Sequence, residues 1–135
     1  MLMRANTFED QEPDASSWIA SFEANDLFLD VGANVGSYSL YSAIRGNLMV
    51  AVEPDPFNLV LLNLNIYNNG LYDLVASYTI ALLPERNVSA SNLLRLDRGG
   101  DSKSFDEPVK FKGHVYKPNH KSGVYGLSLD DFLEN

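Results

Sequence analysis

Apolar residues in the first two thirds of the chain occur alternately in short continuous runs and at helical spacing. Residues 27–31 and 48–52 are short apolar runs, and each is followed by a segment with helical periodicity. Such runs are typical of parallel strands that are buried on both faces. A third run covers residues 74–83 and stops before Pro84, which blocks further strand pairing. Three strands alternating with two helices predict a right-handed parallel α/β sheet.

Start and stop signals define the helices. Residues 1–11 show little pattern and are expected to be frayed, and Pro13 opens a short helix with an apolar stripe. The helix after the first strand is predicted to end near Arg45. The helix after the second strand begins with Asp55 as N-cap and Pro56 at its first position, where a missing N–H has no energetic cost.

The pattern changes after residue 85. Residues 109–116 alternate between apolar and polar side chains, which predicts a half-buried antiparallel strand. Residues 124–127 predict a further short strand, and Ser128 is placed to cap a final helical turn, with Asp131 three residues on. We therefore expect a doubly wound parallel sheet with a partly antiparallel C-terminal segment.

A glycine turn and two carboxylates form the candidate site. Gly32 and Gly36 follow the first strand, and a strand–turn–helix order directs backbone N–H groups and a helix N-terminus at a ligand. Asp30 and Glu53 lie at the ends of the first two strands, where open parallel sheets bind ligands. The alternative is that the glycines only form a tight turn and that Glu53 is an exposed acid at the end of its strand. The two strand-end acids together favour a nucleoside-binding site.

The glycine spacing distinguishes among nucleoside cofactors. A dinucleotide fold requires G-x-G-x-x-G, and here Asn34 occupies the position of the middle glycine. No P-loop motif is present. A carboxylate beside the turn repels phosphate and suits a cationic group such as an ammonium. This combination favours S-adenosylmethionine over NAD.

Several segments of the chain resemble the FkbM family of S-adenosylmethionine-dependent methyltransferases. The most specific are residues 28–36 (FLDVGANVG) and 52–56 (VEPDP), and residues 65–71 (NIYNNGL), 80–82 and 128–132 follow in the order that the family shows. The resemblance implies a Rossmann-like fold of the class I methyltransferase type and O-methylation of a small-molecule or sugar-like acceptor. The family continues into another core strand after the last segment. Residues 1–135 are therefore interpreted as a single S-adenosylmethionine-binding domain that is incomplete at its C-terminus.

The resemblance, together with the turn geometry, assigns one set of residues to cofactor binding. The set is Asp30, Gly32, Ala33, Asn34, Gly36, Glu53, Pro54, Ala81 and Leu82. The turn residues would face the amino-acid part of the cofactor, with Asp30 orienting the turn or receiving the ammonium. Glu53 would take the ribose hydroxyls, and the remaining residues would border the adenine. No catalytic base is assigned, since His114 and His120 are both expected on loops or at the surface.

Composition narrows the possible partners. The net charge of −8 argues against nucleic acid, whose binding depends on basic residues that neutralise phosphates. The chain has no cysteine, which excludes disulfides and thiolate metal sites. No apolar run has the length of a membrane-spanning helix, so no membrane partner is expected and a cytoplasmic location is the default. Basic residues are concentrated between Arg86 and Lys121, either in an ordinary surface insertion or in a positive wall that attracts an anionic substrate.

Two other functions remain open. The chain could be a non-catalytic nucleoside-binding half-domain or remnant of such an enzyme, or an NAD-dependent oxidoreductase, which Asn34 disfavours. In the resembled fold the first strand is central, and the strand on one side of it would here be missing. Residues 27–31 would then form an open apolar edge, so we expect homo-oligomerisation through this edge.

Overall fold

The computed structural model describes residues 8–93, 104–105 and 120–134. Two short helices precede the first strand, α1 (Phe8–Gln11) and α2 (Pro13–Ala20). The expectation of a patternless N-terminus is wrong for α1. Phe8 is only 3% exposed, and its ring centroid lies 5.0 Å from that of Tyr38 and 4.7 Å from that of Tyr41. These contacts supply the tertiary packing that so short a helix needs.

The next five elements form the parallel part of the fold. They are β1 (Leu27–Val31), α3 (Ser37–Ile44), β2 (Leu48–Val52), α4 (Pro56–Asn68) and β3 (Val75–Tyr78). The strand order is β1-β2-β3, and both strand pairs are parallel. The predicted α/β, Rossmann-like fold is thereby confirmed.

The main core lies between this sheet and the layer of α3 and α4. Its buried residues come from the inner faces of both helices, from alternate positions of β2, from the first residue of β3, and from the loops next to these elements. They are Ala33, Leu40, Ala43, Met49, Ala51, Leu62, Ile66, Leu71 and Val75. Because strand side chains alternate between faces, this packing fixes which residues of each strand face the helices.

The third predicted strand, residues 74–83, is divided between two sheets. β3 ends at Tyr78, whose carbonyl accepts a hydrogen bond from the Glu53 N–H at 3.0 Å. β4 (Ala81–Leu82) pairs instead with a later strand, with Ala81 opposite Gly126. The single-strand prediction is wrong because β2 ends at Val52, so the chain beyond Tyr78 has no further β2 residue with which to pair.

The second sheet is mostly antiparallel. It adds β5 (Asn87–Leu93), β6 (Ser104–Phe105) and β7 (His120–Leu127) in the order β4-β7-β5-β6. β5 pairs antiparallel with β7 along its whole length, which confirms the predicted character of the C-terminal segment. The strand predicted for residues 124–127 begins earlier, at His120. The strand predicted for residues 109–116 lies outside the described residues.

The last element, α5 (Leu129–Leu133), contacts the other face of the first sheet at β3. Ser128 caps it as predicted, because its Oγ accepts the Asp131 N–H at 3.1 Å. The ring of Phe132 lies 5.3 Å from that of Tyr78, which points away from α3 and α4. Helices therefore lie on both faces of the sheet. No helix in the described part of the chain is long and apolar enough to span a bilayer.

Candidate functional site

The glycine turn is attached to the end of β2. The N–H groups of Gly32 and Ala33 both donate to the carbonyl of Val52, at 2.8 and 3.0 Å. Three turn residues have positive φ: Gly32 at 76°, Asn34 at 54° and Gly36 at 94°. Asparagine tolerates this left-handed conformation better than other non-glycine residues. The turn therefore adopts the unusual φ values that its two glycines led us to expect.

The two glycines meet different constraints. A Cβ at Gly36 would collide with Cδ1 of Leu62, a core residue that is fully buried. A Cβ at Gly32 would meet no atom within 4 Å. Gly36 is thus required by both packing and backbone conformation, whereas Gly32 is required by backbone conformation alone.

Glu53 holds the turn from the end of β2. Its Oε2 accepts the Asn34 N–H at 2.7 Å, and its Oε1 accepts the Asp55 N–H at 2.8 Å. The side-chain amide of Asn58 also donates to Oε1, at 3.4 Å. With 4% of its surface exposed, Glu53 is buried in this network. The carboxylate therefore connects the turn, β2 and the start of α4.

The surroundings of Glu53 affect its ionisation in opposite directions. Burial raises the pKa of the Glu53 carboxyl above its ordinary value, and the nearby charge of Asp55 raises it further. Hydrogen bonds from Asp55, Asn34 and Asn58 stabilise the charged form and lower the pKa, but burial is the larger effect and the net shift is upward.

Asp30 caps α3 from the neighbouring strand. The N-cap position of α3 is Gly36, which has no side chain to accept the free N–H groups of the helix. The Asp30 carboxylate accepts both the hydroxyl of Ser39, at 2.6 Å, and the Ser39 backbone N–H. Asp30 thus occupies the positive end of α3, where an anionic ligand would otherwise bind.

Burial also dominates the ionisation of Asp30. It raises the pKa of the Asp30 carboxyl above its ordinary value, while the two hydrogen bonds from Ser39 lower it by less. The described contacts of Asp30 and Glu53 are with hydroxyl, amide and backbone N–H groups, and no cation is among them. The site is therefore acidic, with two adjacent strand ends that each carry a carboxylate.

The remaining predicted site residues lie on two different elements. Pro54 is half-buried between Glu53 and the N-cap of α4. Ala81 and Leu82 belong to β4 and are held by β7, so the second sheet positions them and not an extension of β3. Among the described residues, no group of three or more His, Asp or Glu is arranged to hold a metal ion.

Sequence analysis missed several residues that support the site. Ser39 holds Asp30, and Asp55 and Asn58 hold Glu53. Asn65 was not missed: it lies in the segment 65–71 that carries the family resemblance, where a structural role is expected, and its side-chain amide donates to the Val35 carbonyl of the turn at 2.8 Å. One signal was available for Ser39. A helix that begins with glycine needs a capping group from elsewhere, and a strand-end carboxylate can accept hydrogen bonds from its first turn.

Comparison with known proteins finds solved structures whose folds are similar to part of this chain. No family model and no curated protein matches the chain. TYW2 from Pyrococcus horikoshii, solved in complex with MeSAdo, is 26% identical over 53% of this chain, with a TM-score of 0.46. The C-terminal domain of precorrin-6Y C5,15-methyltransferase from Rhodobacter capsulatus is 20% identical over 49% of the chain, with a TM-score of 0.46.

A third similar structure is the methyltransferase FkbM from Methylobacillus flagellatus KT. It is 15% identical over 80% of this chain, with a TM-score of 0.45. The chain spans between 22% and 36% of the length of these three solved chains. Because each TM-score is below 0.5, the likeness by itself assigns no reaction to this chain.

Proposed function

We propose that residues 1–135 form an S-adenosylmethionine-binding domain of a methyltransferase that acts on an oxygen of a small-molecule acceptor. The observation that carries this proposal is the position of Asp30 at the N-terminus of α3. It is supported by the acidic end of β2, where Glu53 is held beside the same turn.

The charge of the site selects among nucleoside cofactors. The phosphates of NAD would lie next to a carboxylate that already occupies the helix N-terminus, in place of the free N–H groups that a dinucleotide fold offers. S-adenosylmethionine has no phosphate, and its ammonium and sulfonium groups are cationic. Two carboxylates with no cation among their described contacts match that charge.

Each proposed residue has a distinct task. The turn of Gly32, Ala33, Asn34 and Gly36 would contact the amino-acid part of the cofactor, oriented by Asp30. Glu53 would accept ribose hydroxyls. Its Oε1 already accepts two hydrogen bonds, from Asp55 and Asn58, whereas its Oε2 accepts one, from Asn34, and has a second acceptor site for a ribose hydroxyl. Pro54, Ala81 and Leu82 would border the adenine.

Bound in this way, S-adenosylmethionine would supply a methyl group already attached to a good leaving group. Methyl transfer is an in-line displacement, so the main task of the chain's residues is orientation, which can be worth effective molarities of up to roughly 10⁵–10⁸ M. We assign no catalytic base. His114 and the side chain of His120 lie outside the part of the chain that the structure describes.

Isothermal titration calorimetry of the chain with S-adenosylmethionine, S-adenosylhomocysteine and NAD tests the proposal. We expect heat from the first two ligands and none from NAD. Binding of NAD without binding of S-adenosylmethionine would contradict it and favour an oxidoreductase. Binding of S-adenosylmethionine with no methyl transfer to any of a panel of hydroxylated acceptors would favour the non-catalytic nucleoside-binding domain.

A further inference from the structure

The chain that follows β2 places two buried carboxyl groups side by side. Glu53 is 4% exposed and Asp55 is 0% exposed. The backbone N–H of Asp55 donates to Oε1 of Glu53 at 2.8 Å, which holds the two residues together. The charge of Asp55 opposes ionisation of the Glu53 carboxyl and so raises its pKa. The two groups therefore do not ionise independently.

The four side-chain oxygens of this pair are used unequally. Oδ1 of Asp55 caps α4 by accepting the N–H groups of Phe57 and Asn58, both at 3.0 Å. Oε1 of Glu53 accepts two hydrogen bonds, from Asp55 and Asn58. Oε2 of Glu53 accepts one, from Asn34, and Oδ2 of Asp55 is buried with no hydrogen-bond partner in the described structure. The remaining acceptor capacity of the pair therefore lies on Oε2 and Oδ2.

The elements around the pair add no positive charge. β1, β2, β3, α3 and α4 contain no lysine, arginine or histidine. Asp30 is the one charged residue on these five elements, and it is bonded to Ser39. Arg45, which follows α3, is paired with Glu9 at 3.0 Å. Two buried like charges with no cation among their described contacts are unfavourable, and a proton bound by one of them relieves the repulsion.

We propose that Asp55 is a positioning residue that acts through Glu53 and makes the binding of a nucleoside release a proton. The inference rests on the proposed function, in which a ribose hydroxyl donates to Glu53. In the free chain at mildly acidic pH, the second acceptor site of Oε2 carries a proton. When the nucleoside binds, its ribose hydroxyl donates to that same site, so the proton leaves to solvent and the carboxylate is charged in the complex.

This exchange makes the affinity for a nucleoside depend on pH. Burial and the charge of Asp55 hold the pKa of the Glu53 carboxyl above its ordinary value of 4.5 in the free chain. A ribose hydroxyl stabilises the ionised form and lowers the pKa in the complex. The free chain therefore holds the proton more tightly than the complex does, and the affinity increases as the pH rises through the free-chain pKa.

Asp55→Asn separates the charge of Asp55 from its role as a cap, because asparagine caps helices about as well as aspartate. Calorimetry with S-adenosylhomocysteine from about pH 5 to pH 7 compares this variant with the parent. The Kd of the parent should be larger at the acidic end, and this ratio of Kd values should be roughly threefold or more smaller in Asp55→Asn. Near pH 5, titration in buffers of different ionisation enthalpy should find more protons released by the parent. Asp73→Asn makes the same change of charge at an exposed position and should behave as the parent does.

The results that would overturn the inference differ from those that would refute the proposed function. Equal Kd ratios in the parent and Asp55→Asn would overturn the inference alone, as would an affinity changed by the same factor at every pH, since that would give Asp55 a structural role only. A chain that binds no S-adenosylhomocysteine would refute the proposed function and the inference with it. Carbon-13 NMR of the free chain is an independent check. The Glu53 carboxyl should titrate at lower pH in Asp55→Asn than in the parent, and an unchanged midpoint would contradict the role of Asp55.

Discussion

The side chain of Glu53 accepts the backbone N–H of Asn34 at 2.7 Å, joining the end of β2 to the turn that follows β1. Asn34 has a φ of 54°, a conformation that costs a non-glycine residue energy unless its surroundings hold it. The hydrogen bond from Asn34 to a buried carboxylate is one such restraint. The shape of the turn therefore depends on a residue of another strand.

Glu53→Gln should lower both the stability of the chain and its affinity for S-adenosylmethionine. The glutamine amide places an NH₂ donor against one of the two backbone N–H groups that the carboxylate now accepts. We expect a loss of about 1–3 kcal/mol in the free energy of unfolding, and a loss of similar size in binding free energy. Urea unfolding and calorimetry measure the two effects, the latter under conditions where the variant is fully folded.

Glu85→Gln is the matched control, because Glu85 is exposed and carries the same change of charge. It should leave both quantities within about 0.5 kcal/mol of the parent. If Glu53→Gln also left both unchanged, the assignment of Glu53 to the turn and to the ligand would be wrong.

The stability of the Asp30→Asn variant relative to that of the parent should increase as the pH rises. The pKa of Asp30 is raised from 3.8, chiefly by burial, so ionisation is harder in the folded state than in the unfolded state. Such a group contributes stability that is present below its unfolded pKa and is lost as the pH rises through its folded pKa. Asparagine does not ionise and escapes this loss, while it keeps an acceptor for Ser39.

Urea unfolding of the parent and Asp30→Asn from about pH 4 to pH 7 checks this expectation. The free energy of unfolding of the variant minus that of the parent should increase across this interval. A difference that stayed constant or decreased would show that burial does not dominate the ionisation of Asp30.

Alanine at Gly36 should be more destabilising than alanine at Gly32. Both residues have positive φ, but only at Gly36 would the new Cβ collide with Leu62. We expect Gly36→Ala to lower the free energy of unfolding by about 2–4 kcal/mol, through overpacking and backbone strain together. Gly32→Ala should lower it by about 1–2 kcal/mol, through backbone strain alone. Gly123→Ala, with open space and no positive φ, should change the free energy of unfolding little.

A double-mutant cycle identifies the cause at Gly36. In a Leu62→Ala background the collision is removed, so the additional effect of Gly36→Ala should fall to that of Gly32→Ala. Strictly additive effects of the two substitutions would argue against the collision.

Asp55→Ala should lower the free energy of unfolding by about 0.5–2 kcal/mol because the N-cap of α4 is lost, whereas Asp55→Ser should not lower it. Oδ1 of Asp55 accepts the N–H groups of Phe57 and Asn58, both at 3.0 Å, and a serine hydroxyl can replace it. Oδ2 is buried with no hydrogen-bond partner in the described structure, close to the charge of Glu53. Thermal unfolding should therefore find the serine variant at least as stable as the parent. Equal destabilisation by serine and alanine would contradict this account.

Local sequence determined the elements that begin and end with strong signals. The bounds of β2 and the N-cap of α4 follow from an apolar run and from Asp55-Pro56, and the structure has both where the sequence places them. Residues a few positions apart settle such features, since caps and strand alternation act over that distance. The glycine turn and its flanking acids were predictable for the same reason.

Tertiary structure decided the features that join distant parts of the chain. Helix α1 forms because Phe8 packs against Tyr38 and Tyr41. Residues 74–83 are divided between two sheets because β7 pairs with Ala81 and Leu82. Ser39 as the partner of Asp30, and Asn34 as the partner of Glu53, depend on how β1, α3 and β2 pack against one another. A sequence pattern contains the chemistry of each of these groups but not the distance between them, because that distance is set by the packing of the whole sheet.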